Sequence, residues 1–381
     1  MRTVKRMITG FIAVVLVFAG CNICGRGNIV SAAGAPTAAK SVTVVEGKSK
    51  TIVVKGANIK SKSFKSSNPK IAAVSKNGKV SAKKAGSCKI QITVKYLKNA
   101  KAKKTATKVL TTKVTVKELK KSKADVAELK KIFEQQKALG VTVSAEYADE
   151  NAWYYVWADN GRLEQIQWAE SGFKGKISFS VFAGLKELDC GGYQGGNQIE
   201  GIDVSGCRKL RNLVCHAIPL KQLNLTGCTA LRELECSSTQ LEQLDLSDCT
   251  ALKRLNCSNA QLTELDVKVC KSLESLTCGG NRLTKLDVSA CENLEALWCD
   301  NGQLEELNAS GCTKLSELFC GKNQLTELNL SGCAEISYLD CKENKFTEID
   351  LTGCSNTIVI VECDKAVKII GLKDESWVER F

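Results

Sequence analysis

A 21-residue repeat constrains this chain more than any other feature of its sequence. The segment LRELECSSTQLEQLDLSDCTA, residues 231–251, recurs in close copies before and after itself, and six of the eight intervals between copies are 21 residues long. The copies begin at Leu185, Leu210, Leu231, Leu252, Leu273, Leu294, Leu315, Ile336 and Ile358. A fixed period in this range predicts a solenoid, in which each turn buries its apolar side chains against its neighbours.

Each copy consists of two similar halves. In residues 231–251 the spacing LxxLxC is followed by the spacing LxxLxL, and apolar and polar residues alternate around Leu234 and Leu244. Alternation with period two is typical of strands, whose successive side chains point to opposite faces. We therefore predict a mainly β chain in which residues 185–370 form a solenoid with two parallel β-sheets, one per half-repeat.

This pattern resembles the leucine-rich repeat family, in particular its 21-residue bacterial subclass with nested halves, known as IRREKO-type. The sequence departs from the pattern at residues 191–197, which include four extra residues, and between Cys354 and Ile358, where one residue is inserted. The resemblance implies a leucine-rich repeat solenoid that binds proteins or glycans more often than it catalyses a reaction.

Seventeen of the 20 cysteines fall in two columns of the repeat. No CxxC pair, the usual source of converging zinc ligands, occurs within the repeats. Parallel rungs in register hold neighbouring Cβ atoms ~4.8 Å apart, whereas a disulfide needs about 3.8 Å. We therefore predict buried, reduced cysteines and no metal. The columns are Cys190, Cys215, Cys236, Cys257, Cys278, Cys299, Cys320, Cys341 and Cys363, and the series from Cys207 to Cys354 in steps of 21.

A uniform column of acidic and amide residues marks the outward side of the second half-repeat. It consists of Asp203, Asn224, Asp245, Asp266, Asp287, Asn308, Asn329 and Asp350. A hydrogen-bonded, solvated face accounts for such a column without any ligand. Two alternatives stay open. In the first, Asp245, Asp266 and Asp287 bind calcium, which prefers oxygen ligands. In the second, the column binds a basic partner, for which the chain's own Lys-rich segment is one candidate.

The outward side of the first half-repeat varies and includes aromatic residues. Trp298 and Phe319 occupy adjacent copies of one column, which continues to Asp340, and Tyr338 lies in the flanking column. Outward aromatics on a sheet have no core to fill, and exposed apolar patches mark binding sites. We predict that Trp298, Phe319, Tyr338 and Asp340 bind a ligand; the alternatives are ordinary surface variation and coverage by a loop.

The sequence offers little support for catalysis. His216 is the only histidine, and its neighbour Cys215 belongs to an inward column, so the two side chains should point to opposite faces. No pair of carboxylates is singled out by a pocket-forming insertion. We expect neither an enzyme nor a cofactor.

Ahead of the repeats, residues 41–117 contain six short segments rich in Val, Ile and Thr, which predict the strands of a small sandwich. Asn77-Gly78 lies between two of them and predicts a hairpin with a type I′ turn. The segment SSNPKIAAVSKNGKVSAKKAGSCKIQITV, residues 66–94, resembles the second half of a group 2 bacterial immunoglobulin-like (Ig-like) domain. The resemblance implies a stalk or adhesive module of a bacterial surface protein.

Charge divides the chain in the same place. Residues 40–123 hold 24 lysines, no arginine and only two acids, a net charge of +22, whereas residues 124–381 carry a net charge of −13. This asymmetry bears on partners rather than on fold. We expect the Lys-rich module to bind anionic cell-wall polymer; nucleic acid is not expected, because few aromatic residues accompany the lysines.

Residues 118–184 should cap the first turn of the solenoid. Ser122 and Asp125 form a capping-box pattern, and apolar residues at helical spacing predict a helix over residues 124–139, ended by Gly140. Three strand-like segments with bulky side chains follow. We expect Trp153, Tyr154, Trp157 and Trp168 to seal the exposed cross-section, with an aromatic ligand shelf as the alternative.

The N-terminus resembles an export signal, because basic residues precede an apolar run, residues 7–18, that is too short to span a membrane. Two processing sites compete. Residues 30–32 suit a small-residue cleavage site, whereas residues 18–21 resemble a lipoprotein box that would attach lipid to Cys21 and so hold the protein on the membrane. Either outcome predicts an extracellular or cell-surface protein.

These signals predict an exported bacterial surface or secreted protein of binding or adhesion type, whose solenoid presents a strand face to a protein or glycan. The alternative is a structural spacer or scaffold without a dedicated ligand. The predicted divisions are an export signal (1–32), a linker (33–40), the Ig-like domain (41–117), the N-terminal cap (118–184), the leucine-rich repeats (185–370) and a C-terminal cap (371–381) that includes Trp377 and Phe381.

Overall fold

The computed structural model describes residues 35–99, 102–193, 196–354, 360–372, 376 and 378–381. The chain divides into two compact units between Glu118 and Leu119. The predicted export signal with Cys21, and Trp377 of the predicted C-terminal cap, lie outside the described residues. In the described part of the chain, no helix is long and apolar enough to cross a bilayer.

The described residues of the first unit form a β-sandwich of nine strands. The strands are β1 Thr37–Ala38, β2 Ser41–Val45, β3 Ser49–Thr51, β4 Val54–Lys55, β5 Ile59–Ser66, β6 Ala72–Val74, β7 Lys79–Ala82, β8 Gly86–Tyr96 and β9 Ala106–Lys117. A four-stranded sheet has the order β2-β9-β8-β5, a three-stranded sheet has the order β3-β7-β6, and β1 pairs with β4.

Alternating apolar residues build the core of this unit. Ile90, Ile92 and Val94 of β8 are completely buried, and the residues between them face solvent. The sequence did not reveal β5, because its eight residues IKSKSFKS have only Ile59 and Phe64 as apolar side chains. Pairing with β8 forms this strand in the absence of a local signal.

The predicted hairpin at Asn77-Gly78 is present, but its predicted turn type is wrong. β6 and β7 pair antiparallel, with Val74 opposite Val80. Gly78 has a φ of 81°, whereas Asn77 is not among the residues with positive φ. The Gly78 N–H donates to the carbonyl of Ser75 at 3.0 Å. The connection is therefore a tight turn followed by a left-handed glycine, which needs only one residue with positive φ.

The second unit begins with the cap. Helix α1 spans Lys123–Ala138 and a short helix α2 spans Ala145–Ala148, and the strands Tyr155–Trp157, Leu163–Gln167 and Lys174–Ser178 follow. The stripe predicted for α1 holds at Leu129, Ile132 and Phe133, which are buried. It fails at Leu139, which is the C-cap residue and is 51% exposed.

One continuous sheet runs along the solenoid. Its twelve strands begin with two strands of the cap, which pair antiparallel, and all later strands pair in parallel and in register. The first-half strands of the repeats and the C-terminal end are Glu187–Asp189, Asn212–Val214, Glu233–Glu235, Arg254–Asn256, Ser275–Thr277, Ala296–Trp298, Glu317–Phe319, Tyr338–Asp340, Ile360–Cys363 and Val378–Arg380.

The second half-repeats do not form the continuous second sheet that we predicted. The described strands make one sheet of three and two sheets of two, and residues 243–245 and 264–266 are not paired. The strands are Lys174–Ser178, Gln198–Asp203, Gln222–Asn224, Lys285–Asp287, Glu306–Asn308, Glu348–Asp350 and Lys368–Ile370. Where these strands are unpaired, backbone hydrogen bonds outside the strands still join neighbouring turns. For example, the N–H of Gln261 donates to the carbonyl of Leu241 at 2.9 Å.

The inward residues of each turn are buried. In one turn, for example, at most 1% of the surface of Ile336, Leu339 and Cys341 is exposed. A single apolar core runs from α1 through the turns to Ile369. The C-terminal residues extend this stack, but Phe381, predicted to seal the end, is 56% exposed.

Candidate functional site

Three aromatic side chains stack along the outward side of the continuous sheet. Trp298 and Phe319 are register partners on adjacent strands. Their ring centroids lie 6.0 Å apart with an interplanar angle of 18°, and the rings of Phe319 and Tyr338 lie 4.9 Å apart at 28°. All three side chains are half-buried. We call Trp298, Phe319 and Tyr338 the aromatic ladder.

A charged cluster adjoins the Tyr338 end of the ladder. The Tyr338 hydroxyl donates to the carboxylate of Glu362, which Lys342 also contacts. The Lys342 Nζ lies 3.6 Å from the carboxylate of Asp340 and 4.4 Å from the centroid of the Phe381 ring. These contacts hold Tyr338 in place, so the ladder ends in an ordered polar group.

The electrostatics of this cluster follow from its hydrogen bonds. The hydrogen bonds from Lys342 and Tyr338 lower the pKa of Glu362. Partial burial raises the pKa of Asp340, although this carboxylate also accepts the backbone N–H of Lys342 at 3.2 Å. Asp340 therefore already has a structural partner, whereas the Trp298 ring N–H makes no hydrogen bond to any described residue.

Stacking determines what the ladder offers to a partner. The rings of neighbouring members are stacked, with interplanar angles of 18° and 28°. The result is a row of apolar ring edges between the small side chain of Thr277 and the charged cluster. Aromatic groups in this setting contribute large contact area with little loss of side-chain entropy.

The column of Asp and Asn on the second half-repeat has a structural role. Each of its eight members accepts a hydrogen bond from the backbone N–H two residues later, at 2.8–3.1 Å. This Asx turn ends the extended segment of each second half-repeat, whether or not that segment is paired with its neighbours. Uniformity along the column thus follows from a backbone requirement that recurs in every turn.

The calcium alternative assigned Asp245, Asp266 and Asp287 to a metal. In each of them one carboxylate oxygen is engaged by an Asx turn. Among the described residues no group of three or more His, Cys, Asp or Glu side chains is arranged to hold a metal ion. Calcium requires oxygen ligands arranged around one point, whereas these three carboxylates lie in a row on successive turns.

An open groove of about 1090 Å³ runs over the second half-repeats. None of the residues of the aromatic ladder lines it. It crosses the turns whose strands are unpaired, and its lining includes seven carboxylates and two lysines. Sequence reasoning missed this groove, because periodicity does not show where neighbouring strands part. Leu244 and Leu265, each 8% exposed, reach its floor.

The cysteine columns lie in the core. Among the described residues no disulfide joins any two of the eighteen cysteines, and all of these except the half-buried Cys354 are buried. In the second column several thiols donate to carbonyls of the preceding turn, as in Cys333 to Ala309 at 3.1 Å and Cys312 to Val288 at 3.3 Å. Burial raises the pKa of Cys312 and Cys333 to about 12.

The cap aromatics divide between two roles. Trp157 and Trp168 are buried, and Trp168 packs against Phe133 and Phe173 with ring centroids 5.7 Å and 5.0 Å away. Trp153 is 70% exposed and stacks on Tyr154 with ring centroids 4.1 Å apart. The first pair seals the solenoid, whereas Trp153 contributes nothing to that seal.

His216 and Cys215 have different surroundings. Its ring contacts the ring of Tyr193 edge-on at 4.7 Å, while Cys215 is completely buried. Burial raises the pKa of Cys215 well above its ordinary value. A thiol that is buried and protonated is not a nucleophile, so these two residues do not form a catalytic pair.

Comparison with known proteins identifies the first unit. Residues 35–106 match the family model of the bacterial Ig-like domain (group 2), which confirms the resemblance seen at residues 66–94. The observed solenoid of 21-residue turns likewise confirms the predicted repeat fold. No curated protein matches the chain significantly.

Solved structures similar to the chain include bacterial leucine-rich repeat proteins. The functional domain of InlJ from Listeria monocytogenes, which includes a cysteine ladder, is 21% identical with a TM-score of 0.42, and the match covers 60% of this chain and 56% of that one. YopM, a leucine-rich effector protein from Yersinia pestis, is 17% identical with a TM-score of 0.42, and the match covers 55% and 70%. The similarity concerns the fold, and this chain spans little more than half of the InlJ chain.

Proposed function

We propose that the protein is an exported bacterial surface or secreted binding protein, and that the aromatic ladder is the centre of its recognition face. The observation that carries the proposal is the stack of Trp298, Phe319 and Tyr338 on the outward side of the sheet. Other outward residues of the same column are small or polar, so the ladder is a local departure from the repeat and not a requirement of it.

The ladder favours a protein or glycan partner that packs apolar groups against ring edges. Binding energy concentrates in aromatic side chains that are held in position and surrounded by polar groups. Glu362 and Lys342 supply that polar rim. The proposal is one of binding without catalysis.

Replacing Trp298 and Phe319 together with serine tests the proposal. The full chain and the variant Trp298→Ser/Phe319→Ser are compared on a glycan array and on a panel of extracellular-matrix proteins. We expect the variant to lose at least about thirtyfold in affinity for any ligand of the wild type, since a buried hot-spot aromatic contributes about 2 kcal/mol or more. The melting temperature should fall by only a few degrees, because ring pairs add about 0.5–1.5 kcal/mol to stability.

Val214→Ser/Thr277→Ser is the matched control, since both residues lie in the same outward column on other turns. It should bind like the wild type. Equal losses in the two variants would contradict a site centred on the ladder. If the wild type binds no member of either panel while remaining folded, the structural spacer or scaffold becomes the better explanation.

We further propose that the Lys-rich unit retains the protein on anionic cell-wall polymer. The net charge of residues 40–123 supports this proposal. The full chain should bind isolated cell walls at low ionic strength and be released by 1 M NaCl, because the Debye length then shrinks to about 3 Å. Binding that persists in 1 M NaCl, or the absence of binding in dilute buffer, would contradict electrostatic retention.

A further inference from the structure

The four-stranded sheet of the Ig-like unit has one face in the core and one face in solvent. On the solvent face Lys113 of β9 lies between Ser41 of β2 and Lys89 of β8, and Lys95 of β8 lies opposite Ser61 of β5. We call this surface the lysine face. It consists of Lys65, Lys89, Lys95, Lys113 and Lys117, with Ser41, Thr43, Val45, Ser61, Ser63, Ser87, Gln91, Thr93, Thr107, Val109, Thr111 and Thr115 between them.

No carboxylate neutralises the lysine face. It carries no acidic residue, and its five lysines are all exposed. No ion pair among the described residues lies within the Ig-like unit, so none of its described lysines has a carboxylate of the same unit within 4.0 Å. The positive charge of this face is therefore available to an external anion.

The register also places like charges against each other. Lys89 and Lys113 are direct partners across β8 and β9. Side chains in that position have Cβ atoms about 5 Å apart, and like charges there destabilise the sheet. An anion bound between the two ammonium groups would remove this repulsion. The Lys89–Lys113 pair therefore destabilises the free sheet but favours the binding of an anion.

The chemistry of the face selects among anionic polymers. Its positive charge comes from lysine alone, and the lysine ammonium binds phosphate as a compact point charge. The surrounding hydroxyls can hydrogen-bond both phosphate oxygens and the hydroxyls of a polyol. The face also lacks aromatic side chains, on which the bases of a single-stranded nucleic acid would stack.

We propose that the lysine face binds a linear polymer of polyol units joined by phosphodiesters. The inference rests on the proposed electrostatic retention and assigns it to one surface and one class of polymer. Strands ~4.8 Å apart, with a rise of ~3.4 Å per residue, place Lys65, Lys89, Lys95 and Lys113 within a patch about 20 Å long. Such a patch spans several phosphates of an extended chain.

The test compares two charge variants of the full chain in binding poly(glycerol phosphate) at low salt. The face variant is Lys65→Gln/Lys89→Gln/Lys95→Gln/Lys113→Gln. The control, Lys50→Gln/Lys55→Gln/Lys76→Gln/Lys83→Gln, removes the same charge from exposed lysines outside the face. We expect about a thirtyfold or greater loss of affinity in the face variant and less than about threefold in the control, because lost phosphate contacts, rather than net charge, weaken binding.

A thermal measurement keeps the test informative about folding. The single variant Lys89→Gln should melt at the same temperature as the wild type or higher, because it removes the like-charge pair. A clear fall in melting temperature would contradict the idea that repulsion between Lys89 and Lys113 destabilises the sheet.

The remaining outcomes distinguish polymer binding by the lysine face from electrostatic retention of the protein on the cell wall. Equal losses in the face variant and the control would overturn the lysine face, although retention by net charge would stand. Tighter binding to polygalacturonate or to poly(U) RNA than to poly(glycerol phosphate) would overturn the polymer class. Failure to bind isolated walls, with poly(glycerol phosphate) binding intact, would instead refute wall retention.

Discussion

At the scale of single residues, a few buried amides join successive turns of the solenoid. The Asn323 side chain donates from Nδ2 to the carbonyls of Cys299 and Cys320 at 2.9 and 3.0 Å, and its Oδ1 accepts the N–H of Leu304 at 3.0 Å. Asn281 makes the equivalent contacts two turns earlier. Each amide thus satisfies backbone groups that burial would otherwise leave unpaired.

The Asx turns predict a specific response to acid. Hydrogen bonds from Ser247, Ser289 and Thr352 lower the pKa of Asp245, Asp287 and Asp350 respectively. A carboxylate with a lowered folded-state pKa contributes stability above its unfolded-state pKa, near 4, and loses that contribution as the pH falls through the folded-state pKa. The solenoid should therefore lose stability below about pH 4.

Asparagine tests this linkage, because Asn224, Asn308 and Asn329 already form the same turn elsewhere in the column. The variant Asp245→Asn/Asp287→Asn/Asp350→Asn should melt near the wild-type temperature at pH 7. Its melting temperature should fall less than that of the wild type between pH 5 and pH 2.5, as followed by circular dichroism. An unchanged pH dependence would show that other carboxylates control acid unfolding.

At the scale of elements, helix α1 is fastened to the first turn near both ends by buried polar side chains. Near its start Asp125, fully buried, accepts the N–H of Leu163 at 2.8 Å and pairs with Arg162 at 3.0 Å. Near its end Gln136 exchanges two hydrogen bonds with the backbone of Lys174. Ser122 caps the helix as predicted, but the Asp125 carboxylate turns inward instead of returning to the Ser122 N–H.

Removing the Asp125 carboxylate should loosen the cap. Asp125→Ala leaves the Leu163 N–H unpaired and Arg162 without its counterion, and the free energy of unfolding should fall by about 2–4 kcal/mol. Urea unfolding measures the change. Glu134→Ala is the control: it removes the exposed Glu134–Lys137 pair on the same helix and should cost under about 0.5 kcal/mol. Similar losses in the two variants would contradict the proposed role of Asp125.

At the scale of the whole molecule, the thiols of the repeats share one core, so their exposure reports on the integrity of the stack. Burial raises the pKa of Cys228 and Cys270 to about 11 and that of Cys249 and Cys291 to about 12. Only a small fraction of each thiol is then ionised at pH 8, and the thiolate is the reactive form.

Alkylation with iodoacetamide at pH 8 should consequently leave the cysteines of the repeats unmodified in the native protein. In guanidinium chloride all of them should react. Mass spectrometry of the intact chain counts the modified thiols, with Cys354, the half-buried member, expected to react first. Loss of most free thiols by oxidation of the native protein would contradict the buried, reduced state.

Sequence periodicity was enough to predict which side chains point inward and where the main elements lie. Period two within half-repeats and period 21 between turns placed Leu234, Cys236 and their equivalents in the core, and local capping signals placed α1. It also put Trp298 and Phe319 on adjacent strands, because parallel pairing in register carries equal repeat positions into one column.

The way in which the backbones of neighbouring turns meet could not be predicted from the sequence and became visible in the folded chain. Unpaired strands in the second half-repeats, the groove above them, the stacking of the aromatic ladder and the Lys342–Glu362 contact all depend on distances between turns. Local periodicity fixes the direction of a side chain, whereas the separation of two turns results from the packing of every inward residue between them. The same limit hid β5, whose polar sequence becomes a strand only through its partner β8.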